Sequence, residues 1–125
     1  MTVVYDAGPL IDADRNDRDT WAYHRRLLER GRRPLTTAPV VAEVSRNPRQ
    51  VMLHRLLDSC RVIGFGADDA QPVGALLARS NTSDVVDAHL VCVAEQYDAL
   101  VLTSDGDDIA QLADHVATAV HHRRL

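Results

Sequence analysis

The 125-residue chain predicts an α/β domain, a mainly parallel sheet flanked by helices. Three observations carry that expectation. Short apolar runs rich in β-branched residues recur at 2–5, 34–37, 61–65, 98–103 and 116–120, and segments with helical spacing separate them. One of those segments, 84–97, is apolar nearly all round (Val85, Val86, Ala88, Leu90, Val91, Val93, Ala94), as expected of a helix in the middle of a fold. Hydrophobic residues make up 46%, enough for a packed core in a single domain spanning 1–125.

The elements follow in order. Thr2-Val3-Val4-Tyr5 reads as a buried strand that ends on Asp6 and is broken by Gly8-Pro9. A helical turn at 10–14 precedes a helix capped by Asp17 and running to about Arg30, with Gly31 suited to the position just past its end. After the strand at 34–37, Pro39 opens a helix carrying Val40, Val41, Glu43 and Val44. Pro48 then restarts a helix with Val51, Leu53, Leu56 and Leu57 inside. The strand at 61–65 leads to a helix capped by Asp68 or Asp69 and packed through Val73, Leu76 and Leu77. Ser83 is the expected cap of the helix at 84–97. The strand at 98–103 turns through Ser104 to Asp108 into a short helix containing Ile109 and Leu112. The run at 116–120 closes the sheet, and His121 to Arg124 form a basic tail.

Composition excludes several classes. Aromatics are only 4%, which argues against domains that read nucleic acid on rows of stacking rings. No apolar run approaches the ~18–20 residues of a membrane span, and no basic region leads into an apolar N-terminus, so a cytoplasmic protein is expected. Every basic residue is Arg. The absence of Lys removes Walker-A phosphate binding and Schiff-base chemistry. Cys60 and Cys92 lack metal-ligand spacing and read as reduced thiols. Net charge is −4 but uneven: residues 15–33 hold seven Arg against three acids, and residues 68–108 hold nine acids against one Arg. Such a chain can hold a cation in one place and phosphates in another.

The acids carry the chemistry. Asp6 and Asp105 each follow a strand, and acids at the carboxyl ends of parallel strands converge on one edge. Asp84 and Asp87 share a helix face. Asp84 has a plain alternative role as a helix-start acid, Asp105 as a cap and Glu43 as a surface residue. Asp87 is harder to explain that way, because it lies one turn into an apolar helix where an unpaired carboxylate is costly. Crowded carboxylates repel unless a cation neutralises them, and oxygen ligands favour Mg²⁺ or Mn²⁺ over zinc. Two such ions about 4 Å apart can activate water and stabilise the leaving oxygen of a phosphodiester. No Ser-His or Cys-His nucleophile is evident, and His89 reads as structural.

Four segments in order, Val3-Val4-Tyr5-Asp6-Ala7-Gly8-Pro9-Leu10, Ala38-Pro39-Val40-Val41-Ala42-Glu43-Val44, Thr82-Ser83-Asp84-Val85-Val86-Asp87-Ala88-His89-Leu90 and Thr103-Ser104-Asp105-Gly106-Asp107-Asp108-Ile109, resemble those of PIN-domain ribonucleases, specifically VapC-type toxins. The resemblance spans nearly the whole chain. It implies a PIN-like three-layer α/β/α sandwich with a mainly parallel sheet of four to five strands. It also implies an Mg²⁺- or Mn²⁺-dependent endoribonuclease with Asp6 and Asp87 as principal metal ligands, Glu43 and Asp105 as the second pair, and Asp84 and Asp108 as auxiliaries. Two departures stand out: Gly8-Pro9 replaces a small polar residue after Asp6, and His89 replaces an aliphatic residue after Asp87-Ala88.

The expectation is therefore the toxin of a type II toxin–antitoxin pair, a homodimer that cleaves RNA, inhibits translation and is neutralised by a VapB-like antitoxin laying a peptide across the acids. Arg25, Arg26, Arg30, Arg32 and Arg33 are the candidate contacts to RNA phosphates. The rival from another class is a non-catalytic PIN-fold module that binds nucleic acid or protein. A phosphatase or response-regulator-like domain is disfavoured by the missing Lys.

Overall fold

The computed structural model describes residues 1–116 and the backbone of residues 122 and 123. Five parallel strands form one sheet in the order β3-β2-β1-β4-β5: β1 (Thr2–Tyr5), β2 (Leu35–Thr37), β3 (Arg61–Ile63), β4 (Ala99–Leu102) and β5 (His122–Arg123). Between them lie α1 (Ala7–Asp14), α2 (Arg18–Glu29), α3 (Ala38–Val44), α4 (Val51–Asp58), α5 (Ala70–Ser80), α6 (Val85–Tyr97) and α7 (Gly106–Ala113). Helix α1 packs on α2, α3 and α4, while α5, α6 and α7 pack on one another. Right-handed crossovers place these two sets on opposite faces, giving the three-layer α/β/α arrangement.

The chain first runs outward from β1 to β2 and β3, then returns to place β4 on the other side of β1. The direction of winding reverses between β1 and β4, and ligands bind at that switch point in open α/β sheets. These two strands pair in register from Thr2 with Ala99 to Tyr5 with Leu102, and the Asp6 N–H adds one more bond to the Leu102 carbonyl at 2.9 Å.

Local sequence explains most boundaries. Asp17 caps α2 by accepting the Thr20 N–H at 2.9 Å. At the other end Gly31 takes φ +70°, and the N–H groups of Gly31 and Arg32 bond to the carbonyls of Leu28 and Leu27. That is the Schellman closure, and it needs a residue without a Cβ penalty. Thr37 caps α3, with Pro39 in its first turn. Four expectations shift. Asp84, not Ser83, caps α6 by accepting the Asp87 N–H at 3.0 Å. Pro48 sits in a turn and α4 starts only at Val51, because the Gln50 side chain accepts the Arg46 and Asn47 N–H groups and holds the chain in a tight loop. Asp69 takes the cap position of α5 without a side-chain cap bond, its carboxylate accepting the Gly66 N–H instead. The last strand is at His122–Arg123; Val116 lies in a bend, and 117–120 of the expected strand, like His121 and Arg124 of the tail, fall outside the described residues.

The core is aliphatic, as the low aromatic content requires, and Cys60 is buried in it as a free thiol. One polar chain crosses it. The Tyr5 hydroxyl lies 3.0 Å from His24 Nδ1, and His24 Nε2 lies 2.7 Å from the Ser59 hydroxyl, which donates to the Leu56 carbonyl. The hydroxyl proton of Ser59 is thus committed, so Nε2 carries the ring proton and Nδ1 accepts from Tyr5. The chain ties β1, α2 and the α4–β3 turn together. His89 is also fully buried, its ring 4.9 Å from that of Phe65, with neither nitrogen in hydrogen-bond geometry. Its place on the side of α6 away from the acids fits a structural role.

Two expected outcomes follow from this core. Tyr5→Phe leaves Nδ1 of His24 buried without its donor and lowers unfolding free energy by about 1–2 kcal/mol in urea titrations. Burial holds the pKa of His24 below 6.5, while the unfolded chain takes up a proton near that value. Stability is therefore full above about pH 6.5 and falls as pH drops below it. Urea midpoints measured from pH 7.5 to 5.5 show that decline.

Candidate functional site

Asp6 leaves β1 and caps α1 by position, but its side chain makes no cap bond. It is buried, and its Oδ2 accepts from the Thr103 hydroxyl at 2.6 Å. Thr103 follows β4 and its Oγ1 also accepts the Asp105 N–H at 2.9 Å. One hydroxyl thus joins the two strand ends across the switch point. Nothing local marks Thr103, because the Asp6 bond needs the β1–β4 pairing, which no short stretch of sequence announces.

Asp87 lies half-buried one turn into α6. Its pKa is pushed up to about 7, first by burial, then by the carboxylates of Asp84, Asp6, Glu43 and Asp108. Glu43, exposed on α3, is raised by partial burial and by Asp84 and Asp6, with Arg46 opposing. Asp108 is raised by a hydrogen bond and repulsion from Asp105, and more weakly by Asp84 and Asp107. Acids from the end of β1, α3, the start of α6 and the first turn of α7 therefore share one electrostatic neighbourhood with Asp87 at its centre.

The charges of the candidate acids bear on one another. Asp108 is among the groups that raise Asp87, and Asp105 acts most strongly on Asp108. Asp84 is a helix cap, and its charge also bears on Asp87 and Glu43. A cavity of about 250 Å³ opens beside Asp84, Asp87 and Asp108, walled by Thr82, Ser83 and Gln111. Glu43 lines a different cavity of about 260 Å³, with Arg15, Arg46 and Gln50.

The arginines lie elsewhere. Arg32 donates to the carbonyl of Met1 at 2.7 Å, and Met1 stands at the amino end of β1, whose carboxyl end is Asp6. At ~3.3 Å per residue the two ends are about 16 Å apart. Helix α2 ends in a turn that feeds the start of β2, so Arg30, Arg32 and Arg33 return to the amino edge of the sheet. Arg25 and Arg26 occupy the same end of α2. None of the five lines the cavity at the acids.

The donor set around Asp87 consists of carboxylates, with hydroxyls and an amide in the cavity wall, which suits Mg²⁺ or Mn²⁺ in chemistry. Among the described residues, no three acids stand close enough to form a ready-made cation cage. Mutual repulsion of uncompensated carboxylates opposes such an approach.

Two outcomes test this geometry. Thr103→Val strips Asp6 of its buried donor and destabilises the fold by about 1–3 kcal/mol in chemical denaturation. Asp87 has its pKa raised on folding, so its contribution to stability is full below pH 3.8, its ordinary value, and lost as pH rises through about 7. Asp87→Asn therefore stabilises the metal-free protein at pH 8, by roughly 1 kcal/mol once solvent screening of a half-buried group is allowed for, and the gain vanishes near pH 4.

The PIN domain family model matches residues 3–115. Comparison with curated proteins finds no match. Among solved structures, a chain in the crystal structure of VapBC2 from Rickettsia felis bound to a DNA fragment from their promoter superposes with a TM-score of 0.64 at 16% identity, covering 100% of this chain and 99% of that one. PAE2754 from Pyrobaculum aerophilum gives 0.60 at 19% identity, over 97% of this chain and 92% of that one. These identities speak to the fold. With the family model matched from β1 through α7, the chain belongs to the PIN domain family.

Proposed function

We propose that the chain is a divalent-metal-dependent endoribonuclease, the VapC-like toxin of a toxin–antitoxin pair. The observation that carries this reading is Asp87. A carboxylate pushed up to about 7 by burial and by like charges from three other segments is where a cation would relieve the most repulsion, which supports a metal site there. Family membership supports nuclease chemistry, and the likeness to a chain of the VapBC2 complex supports the toxin–antitoxin reading.

In this reading Asp6, Asp87 and Asp108 would draw together to hold the ion, with Asp84, Glu43 and Asp105 completing the negative field. A bound Mg²⁺ or Mn²⁺ supplies Lewis acidity that activates water and stabilises the leaving oxygen. Thr103 fixes the rotamer of Asp6 through its hydroxyl. Asp87 must shed its proton to serve as a ligand, so metal affinity and cleavage rise with pH through about 7. The hydroxyls of Thr82 and Ser83 and the amide of Gln111 line the cavity beside Asp87, where they can bond to phosphate oxygens or to the 2′-hydroxyl. A cognate antitoxin reaching the same acids with an arginine would pair with them bidentately and compete with the cation.

Cleavage of a single-stranded RNA by purified protein provides the test. Activity is expected with Mg²⁺ or Mn²⁺, none in EDTA, and at least about a 100-fold loss in Asp6→Asn and Asp87→Asn, at the upper end of the effects seen even for outer-shell partners of a metal. Activity that survives both substitutions sinks the assignment. Binding of RNA without cleavage in any divalent ion favours a non-catalytic module.

A further inference from the structure

We infer that the arginine-lined basin at the amino edge of the sheet is a second RNA site, holding the phosphodiester backbone at the edge opposite the acids. The inference rests on the ribonuclease reading for the identity of the polyanion. A cavity of about 420 Å³ is lined by Arg26, Arg30 and Arg32 together with Tyr23, Leu27 and Leu100. A second, of about 280 Å³, shares Arg32 and adds Arg33. Four guanidinium-bearing residues from the end of α2 and the α2–β2 turn thus surround adjoining depressions, and all four are exposed.

Their ordinary structural duties do not account for them. Arginines near a helix C-terminus offset its dipole and can bond to its last carbonyls. Here the backbone N–H groups of Gly31 and Arg32 already bond to the Leu28 and Leu27 carbonyls. Arg32 and Arg33 are anchored instead on the carbonyls of Met1 and Cys60, at 2.7 and 3.0 Å. A carbonyl orients a guanidinium without neutralising it, so the charge stays available to the cavity. Acids are present at this edge, Glu29 at the end of α2, Asp58 at the end of α4, Glu95 in the last turn of α6 and Asp98 before β4, but none of them lines either depression.

The acidic crevice explains why such a basin is needed. Its carboxylates repel the phosphates that must approach them, so attraction has to come from elsewhere on the molecule. Phosphate contacts supply most non-specific nucleic-acid affinity. The parallel strands run from a basic edge to an acidic one, so an RNA anchored on the arginines is led along the domain to the acids. Efficient substrates must therefore be long enough to span both sites.

Fluorescence anisotropy with a labelled single-stranded RNA, in EDTA so that nothing is cleaved, tests the basin. The comparison is between the wild type, Arg26→Gln/Arg30→Gln, and Arg18→Gln, which removes one charge from the opposite end of α2. Far-ultraviolet circular dichroism and melting temperature check that each variant folds. The double variant is expected to bind more weakly and to lower the magnitude of the log Kd against log salt slope by about 1.4, which is 0.7 for each lost contact. Arg18→Gln keeps the wild-type slope. A double variant with wild-type affinity and slope overturns the inference, as does a protein that ignores RNA but binds polyglutamate through these arginines. Because binding is read without metal, failure of the cleavage assay leaves this result standing, and a normal salt slope leaves the catalytic reading standing. In wild type, kcat/KM rises steeply once the RNA is long enough to reach from the basin to the acids.

Discussion

The register between β1 and β4 is the constraint on which the site depends. Four consecutive residue pairs, followed by the bond from the Asp6 N–H to the Leu102 carbonyl, bring two strand ends together that are far apart in sequence. Thr103 then bonds to Asp6 across the switch point and to the Asp105 backbone on its own side. A slip of one residue would turn the side chains of one strand to the opposite face and break this junction. The crossing is reinforced from beneath by Tyr5, whose hydroxyl engages His24 and whose carbonyl accepts from Thr36 at 2.9 Å. Each contact is worth little alone, but together they fix the one strand end where a carboxylate must be held still.

Around that fixed point the remaining acids are placed with less restraint. Asp84 spends one oxygen on the α6 cap, Glu43 is exposed, and Asp105 and Asp108 engage each other. Their charges nonetheless reach Asp87 or its neighbours, and burial magnifies the effect there. On the proposed function, a divalent ion would release the free energy stored in that repulsion on binding, which would make ion binding and stability two views of one equilibrium. Gly8 belongs to the same junction. A Cβ at Gly8 would collide with the Ser104 side chain, so α1 can start this close to the β4 end only with glycine there. The departure after Asp6 seen in the sequence therefore has a steric reason: Ser104 occupies the space that a side chain at position 8 would need.

Much of the architecture was legible before any coordinates. Asp17 and Gly31 bound α2, Pro39 opens α3, and the all-round apolar α6 lies in the core, because capping, proline geometry and apolar spacing are local signals. The boundaries that moved depended on side chains acting over a few residues. Gln50 gathers the N–H groups of the α3–α4 loop, and Asp84 supplies an oxygen at the position where Ser83 looked equally able. His24 gave no sign in the sequence of the buried chain it forms with Tyr5 and Ser59, since its partners lie 19 and 35 residues away.

The sequence alone determined that the domain is α/β and that acids sit at two strand ends and on two helices, since strand and helix periodicities are properties of short stretches of chain. Only the tertiary structure decided which strands are neighbours, that the charge of Asp108 bears on Asp87, and that the arginines of 25–33 stand at the far edge of the sheet from the acids. Those outcomes depend on strand order and on the direction in which a helix returns. Long-range pairing sets both, and residue spacing does not encode it.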